Sequence, residues 1–446
     1  MTLFNEGLMK KTKLKNIFSI FFCTMLVSTS VLSGCSRSEV HSNESASIAG
    51  EETAVDNSET KNITVAGWYE PSCTRNLMAY LAEKFPDYSF EYQYISKTSY
   101  EPLIDSQLSS KTAPDIVMVS QSMAKKHGKS GYIEDLTKYC DDFTDEGRDA
   151  FLYEDVIYAI PSTTGYICIF YNKTILKENG QSIPTTFEGL LDLADYMEQI
   201  GIKPMSSGLK DVERVADSAI AVLASGYLST EEGKGFGTRI AEGETSFRKE
   251  IRPHMGKWQN LVIHHYYTKD MCLMDDRAAI DEFASEKSLM YCGDLEDYNL
   301  IKERNPDIKL GTMAFSSEMK LKPVLIGGCN CGFAVNSYSD KKNDAISIVA
   351  DLATREGQEA LWKDRKGSQT YLKNVKFDNP DEYDSLRPVV DSGRMFMPWN
   401  EWGKNSTEIY RAFGGELQKV ILGERSMEIA FNVIDDEVRQ IHKENN

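Results

Sequence analysis

The stretch Ile157-Tyr158-Ala159-Ile160-Pro161-Ser162-Thr163-Thr164-Gly165-Tyr166-Ile167-Cys168-Ile169-Phe170-Tyr171-Asn172-Lys173 contains two apolar runs, residues 157–161 and 166–171, that read as consecutive β-strands. A helical pattern begins beyond it, after Pro184-Thr185-Thr186. Upstream, residues 62–67 are rich in strand formers, and Leu77, Tyr80, Leu81 and Phe85 then recur at helical spacing. Phe90, Tyr92 and Tyr94 alternate as a half-buried strand does, Tyr100, Leu103, Ile104 and Leu108 return to the helical period, and residues 114–119 read as a buried strand. Strands alternating with amphipathic helices predict an α/β fold with mainly parallel sheets. Ligands of such sheets sit outside the carboxyl ends of the strands. Here those ends are Gly67-Trp68-Tyr69-Glu70 and Ser120-Gln121-Ser122. No fixed-period repeat is visible, and residues 406–444 are helical in pattern.

At the N-terminus Lys10, Lys11, Lys13 and Lys15 precede an apolar run over residues 17–32 that ends at Leu32-Ser33-Gly34-Cys35. A basic lead before a short apolar core is an export signal. A spanning helix needs about 20 apolar residues, whereas this core is interrupted by Ser19, Thr24, Ser28, Thr29 and Ser30. The tetrapeptide resembles a bacterial lipobox, which implies a signal peptide over residues 1–34 and lipid attachment at Cys35. Two acyl chains there give the stable anchoring that one does not. The alternative is an ordinary signal or anchor with an incidental cysteine, and Met9 is a second candidate start. Residues 36–60 carry no aromatic side chain and abundant Ser, Glu, Asn, Thr and Ala, so residues 35–60 read as a flexible tether on a membrane anchor. Residues 61–446 are too many for one small core and suit two lobes.

The formal net charge of −18 argues against nucleic acid and anionic lipid surfaces as partners. Apart from Cys23 and Cys35, the cysteines are an odd set at irregular spacing, which is no disulfide framework. Cys329 and Cys331 lack a second pair or a histidine at zinc spacing, so buried inert thiols are expected, with no metal and no cofactor. His264 and His265 are adjacent, would face opposite ways on a strand, and suit surface or packing roles.

Four landmarks in one order carry a resemblance to the extracellular solute-binding proteins, in particular the sugar-binding, maltose-binding-protein-like type. The first is Ala113-Pro114-Asp115-Ile116-Val117 followed by Gly131-Tyr132-Ile133-Glu134-Asp135-Leu136. The second is the opening stretch, similar to the family's crossover from one lobe to the other. The third is Phe283-Ala284-Ser285-Glu286-Lys287-Ser288-Leu289-Met290 with Gly293, which departs by Glu286 where glycine is usual and by Asp294-Leu295 where tryptophan often follows. The fourth is Ile326-Gly327-Gly328, then Phe333-Ala334-Val335-Asn336-Ser337, then Thr354-Arg355-Glu356-Gly357-Gln358.

The resemblance implies a two-lobe α/β fold of the type II periplasmic-binding kind, with discontinuous lobes that close about a hinge. The first lobe is expected over residues 61–160 and 321–366, the second over 161–320 and 367–446. It also implies capture of a sugar or oligosaccharide between the lobes, delivery to the permease subunits of an ABC importer, and no enzymatic activity. A sugar presents C–H-rich faces to aromatic planes and a rim of hydroxyls to donors and acceptors. The candidate ligand residues are therefore Trp68, Tyr69 and Glu70 after the first strand, Gln121 after the third, Thr163 and Tyr166 at the crossover, Asp294, Gly327 and Gly328 for close backbone approach, and Trp399 in a late Pro-broken loop. Trp402 is a weaker candidate in the same loop, and Arg394 there is a candidate partner for an acidic group. A monomer is expected, because closure must leave both lobes free to dock.

Binders of peptides or other small solutes, a receptor with no importer and a secreted carbohydrate-active enzyme are the competing classes. The enzyme reading finds no Gly-x-Ser-x-Gly elbow, no His-Glu-x-x-His and no phosphate loop. The pairs Asp275-Asp276 and Asp435-Asp436 sit in hydrophilic runs that suit a solvated face better than glycoside hydrolysis.

Overall fold

The alternation of strand formers with amphipathic stretches folds as that pattern dictates. The computed structural model describes residues 60–314, 323–403 and 405–444, without the side chains of Pro398 and Trp399. The expected export signal, Cys35 and the expected tether up to residue 59 lie outside the described residues, as does the Trp399 indole.

The strands are β1 (Lys61–Gly67), β2 (Tyr88–Tyr94), β3 (Ile116–Val119), β4 (Leu152–Tyr153), β5 (Val156–Ile157), β6 (Ile160–Pro161), β7 (Gly165–Asn172), β8 (Lys203–Ser206), β9 (Ser288–Asp294), β10 (Leu310–Met313), β11 (Leu325–Gly328), β12 (Gly332–Val335) and β13 (Met395–Phe396). One sheet has the order β2-β1-β3-β12-β6, and a second the order β13-β11-β7-β9-β8 with β10 also on β7. Ile63 and Val65 of β1, Val117 and Val119 of β3 and Phe333 of β12 build the core of the first sheet. Along β7, Ile169 faces one core and Cys168 and Phe170 the other, as the two-residue period of a strand requires. The second sheet is thus buried on both faces.

Helices start at polar caps. The Ser120 hydroxyl accepts from the Met123 amide, Asp211 from Glu213 and Thr354 from Gly357, which opens the helices Gln121–Lys129, Val212–Leu223 and Arg355–Asp364. The last segment forms the helices Ser406–Ile421 and Met427–Glu444.

The expectation of mainly parallel sheets holds for β2-β1-β3 and for the outer pairs β8-β9 and β11-β13, while the other pairings are antiparallel. In the second sheet β7 runs antiparallel to β9, β10 and β11. The reason is the short link of residues 162–164. The chain leaves β6 through it and enters the second sheet running away from the junction, whereas β9 and β11 run toward it.

Two expected lobe boundaries do not match the pairing. β11 pairs with β7 and β13 in the second sheet, so the strand after residue 321 is not part of the first. Tyr371 and Leu372, expected in the second lobe, pack in the first core, where Leu372 bridges to Phe143. Trp402 is 1 % exposed beneath Phe236, Phe247 and Tyr410 and is a core residue. His264 and His265 end a helix rather than lie on a strand, and each ring pairs with a separate carboxylate, Asp195 and Glu198.

Candidate functional site

Both sheets end at one junction. Gly67, Tyr94, Val119 and Pro161 terminate strands of the first sheet there, and Asp294 and Gly328 terminate strands of the second. Residues 162–164 and 329–331 are links between the sheets, and they run side by side, with the Ser162 amide donating to the Cys331 carbonyl at 3.1 Å. Elements of both sheets therefore face a common gap at the strand ends.

Trp68 follows β1 and is half-buried, with its ring edge-on to Tyr100 at 5.0 Å. The next residue behaves differently. Tyr69 is 4 % exposed, its hydroxyl lies 3.4 Å from the Cys331 thiol and its ring is covered by the Arg365 guanidinium at 3.9 Å. A side chain alternates faces along an extended segment, so Trp68 at the gap puts Tyr69 in the core, and Tyr69 is not a ligand contact in this structure. Glu70 returns to the gap and binds Arg277 of the helix Asp276–Ala284, with the guanidinium Nε 2.9 Å from the carboxylate.

Gln121 also spans the junction. Its amide nitrogen donates to the Cys329 carbonyl at 2.8 Å, and its amide oxygen accepts from Asn400 at 3.1 Å. Asp294 receives the Arg214 guanidinium on both oxygens, at 3.2 and 2.9 Å, and faces Lys97 of the helix Lys97–Ser110 at 3.5 Å. Burial would raise the Asp294 carboxyl, but Arg214 and Lys97 hold it well below the usual carboxylate range. Asp217, one turn beyond Arg214, is pushed up by burial to about 6 despite the pull of Arg214.

Thr163 is completely buried, and its hydroxyl has no partner among the described residues. Tyr166 is 2 % exposed and its hydroxyl donates to the Gly367 carbonyl at 2.8 Å, so it holds the junction together instead of facing solute. Gly327 has φ +154°, and a Cβ there would lie 2.2 Å from the Gly165 carbonyl oxygen. The close backbone approach at Gly327 is therefore to the neighbouring strand, not to a ligand. Gly328 terminates β11 with Met397 opposite its missing side chain. Arg394 precedes β13 beside Leu325, at the end of the strand pair away from Gly328, so it is not placed to read an acidic group at the gap.

The residues that sequence reasoning passed over are Lys97, Arg214, Arg277, Arg365 and Asn400. Arg214 and Asp217 had a signal, two opposite charges one turn apart in a helix whose other residues, apart from Glu213 and Ser218, are apolar. Arg365 had none, because it sits in a charged run. The described cysteines are all buried and unpaired, and no group of His, Cys, Asp and Glu among the described residues is arranged to hold a metal ion.

The family model described as bacterial extracellular solute-binding protein matches residues 76–382. The multiple sugar-binding protein of Streptococcus mutans is 20% identical over 308 residues, 66% of this chain and 71% of that protein. Among solved structures, the bacterial solute receptor AcbH, described as preferring β-D-galactopyranose, has a TM-score of 0.71 at 14% identity, over 86% of this chain and 99% of its own. A sugar transporter from Bacillus licheniformis, solved with stachyose, has a TM-score of 0.67 at 16% identity, over 85% of this chain and all (100%) of its own. These likenesses show the fold, the two-lobe type II arrangement. The matched family is one of extracytoplasmic binding proteins, not enzymes, and the chain belongs to the bacterial extracellular solute-binding proteins.

Proposed function

We propose that this protein captures a sugar or short oligosaccharide in the gap between its two sheets and delivers it to the permease subunits of an ABC importer. The first lobe comprises β1 to β6 with β12 and the helices that follow it, and the second comprises β7 to β11 with β13 and the last two helices. Closure swings one against the other about residues 162–164 and 329–331. The protein acts as a monomer held to the outer face of the cell membrane through lipid on Cys35.

The observation that carries the reading is the half-buried Trp68, with Glu70 two residues on, at a junction of strand ends that also holds Gln121 with Asn400 and Asp294 with Lys97. A half-buried indole offers a plane for the C–H face of a sugar, and the carboxylates and amides around it offer acceptors and donors for its hydroxyls. Trp68, Glu70, Gln121, Asp294 and Gly328 are the retained ligand candidates, with Thr163 exposed to solute on opening. The relatives named for sugars, galactose and stachyose support the ligand class.

A thermal-shift screen tests this. A ligand that binds only the folded form raises the melting temperature by mass action. The reading requires a rise with one class of sugar and none with amino acids, short peptides or metal ions. A response to peptides alone overturns the substrate and keeps the fold. Replacing Cys35 by alanine should release the protein from membranes into the medium.

A further inference from the structure

The helix Lys97–Ser110 packs into the core of the first sheet through Tyr100, Ile104 and Leu108, yet its first turn reaches the second sheet. Lys97 Nζ stands 3.5 Å from the carboxylate of Asp294, the last residue of β9. Glu101, four residues on and on the same side of the helix, lies within electrostatic reach of Arg411 and Glu213. Those two residues belong to the helices Ser406–Ile421 and Val212–Leu223, which pack in the core on the second sheet. A cation and, one turn later, an anion thus meet Asp294 and Arg411 across the junction.

The helix itself gains nothing from this first turn. A lysine at a helix N-terminus opposes the macrodipole, and the Ser96 side chain before it caps no amide. A local conflict of this kind is expected where a residue serves a purpose beyond its own element. Asp294 supplies the compensating anion and keeps the Lys97 ammonium above its usual range.

The partners in the second sheet are secured without Lys97. Arg214 donates to both Asp294 oxygens, and Arg411 Nε meets Glu213 at 2.7 Å. Withdrawal of Lys97 therefore leaves no orphaned carboxylate, and the lysine, with 58% of its side chain exposed, returns to water. On docking only the lysine has to be ordered, because Asp294 is already fixed. The contact is built to form and release.

From this arrangement we infer that Lys97, with Glu101 one turn behind it, is an electrostatic latch that biases the two lobes toward their closed arrangement before any solute arrives. The inference rests on the closure reading above and not on the identity of the solute. An exposed pair of this kind shifts the closed-to-open ratio by up to about fivefold. The closed form is the one that surrounds solute, so the same factor enters the apparent affinity.

Single-molecule fluorescence energy transfer on the solute-free full chain tests it, with dyes on Lys125→Cys and Glu408→Cys, two exposed positions on helices of different sheets. The described native cysteines are buried and leave these two thiols to react. At about 0.01 M salt, where charges act over roughly 30 Å, Lys97→Gln should lower the closed-to-open ratio about fivefold and Lys97→Arg should match the wild type. At about 1 M salt, where that reach falls to roughly 3 Å, the difference between Lys97→Gln and the wild type should close. A loss of packing alone would persist at high salt. The latch is overturned if Lys97→Gln keeps the wild-type ratio at low salt, or if its deficit is the same at both salts. In either case two populations remain and closure stands. One unchanged efficiency in every protein at both salts overturns the closure reading and the latch together.

Discussion

Glu70 and Arg277 lie 207 residues apart in the chain and are ion-paired across the junction of the two sheets, Arg277 Nε standing 2.9 Å from the Glu70 carboxylate. Arg277 is 60% exposed at its side chain, and an exposed pair of this kind adds at most about 1 kcal/mol to folding. Its weight falls on closure, because the two partners hang from different sheets. Glu70→Gln should change the unfolding free energy by less than about 1 kcal/mol while weakening sugar affinity roughly tenfold. Urea denaturation and calorimetry on the same preparation read the two effects. Equal losses in both would assign Glu70 to folding alone.

Asp217 gives the protein a pH signature. Its folded pKa of about 6 lies above the ordinary aspartate value of 3.8, with burial as the leading cause. Between about pH 4 and 6 the folded protein holds this proton and the unfolded chain does not. The contribution of the protonated group is full below the unfolded pKa and is lost as pH rises through 6. Asp294 has the opposite shift, and its contribution, present above pH 4, disappears only at lower pH. The stability of the wild type relative to Asp217→Asn should therefore fall as pH rises from 4 to 6, by about 2 kcal/mol. Denaturation curves at several pH values measure it, and a constant difference would contradict the placement of Asp217.

Glu286 occupies a position that a glycine would fill without strain. It follows the helix Asp276–Ala284 with φ +61°, its amide donates to the Phe283 carbonyl at 2.9 Å, and the Lys287 amide donates to Glu282 at 3.3 Å. This is the double-bonded helix end that favours a left-handed residue. A side chain there costs about 1 kcal/mol. Glu286→Gly should raise the unfolding free energy by about 0.5–1 kcal/mol and leave ligand binding unchanged. A destabilised variant would show that the glutamate makes compensating contacts.

Arg365 ties the links together. It is 3% exposed, stacks on Tyr69, donates to the Ser162 hydroxyl at 2.8 Å and reaches the Cys331 thiol at 3.6 Å. Arg365→Ala should cost about 3 kcal/mol, since a buried charged hydrogen bond and a cation–π contact go together. Arg365→Lys should recover less than about half, because an ammonium lacks the planar fork. Full rescue by lysine would reduce its role to charge alone.

The order of elements was legible because strand formers and helical spacing alternate plainly in residues 62–67, 114–119 and 157–171. Pairing partners were less so. Motif order says that Leu325 to Gly328 form a strand but not which sheet receives it, since a strand of four residues fits either hydrophobic edge. Trp68, Glu70, Gln121 and Asp294 were chosen as candidates because strand ends in an α/β fold collect function, and the structure places them at the junction of the two sheets. Tyr69 and Tyr166 were misread because a tyrosine near such an end can turn its ring inward and spend its hydroxyl on the Cys331 thiol or the Gly367 carbonyl. Arg365 was missed because Lys363-Asp364-Arg365-Lys366 looks like a solvated run, while the fold buries Asp364 and Arg365 and turns Arg365 to the links.

The most direct test of solute capture at the gap is a calorimetric titration of the wild type and Trp68→Ala with the sugar that gives the largest thermal shift. Loss of a stacked indole should weaken binding at least tenfold, about 1.4 kcal/mol, while the free variant stays folded with a melting temperature lowered by the lost contact with Tyr100. Equal affinity in the two proteins would contradict the placement of the sugar against Trp68.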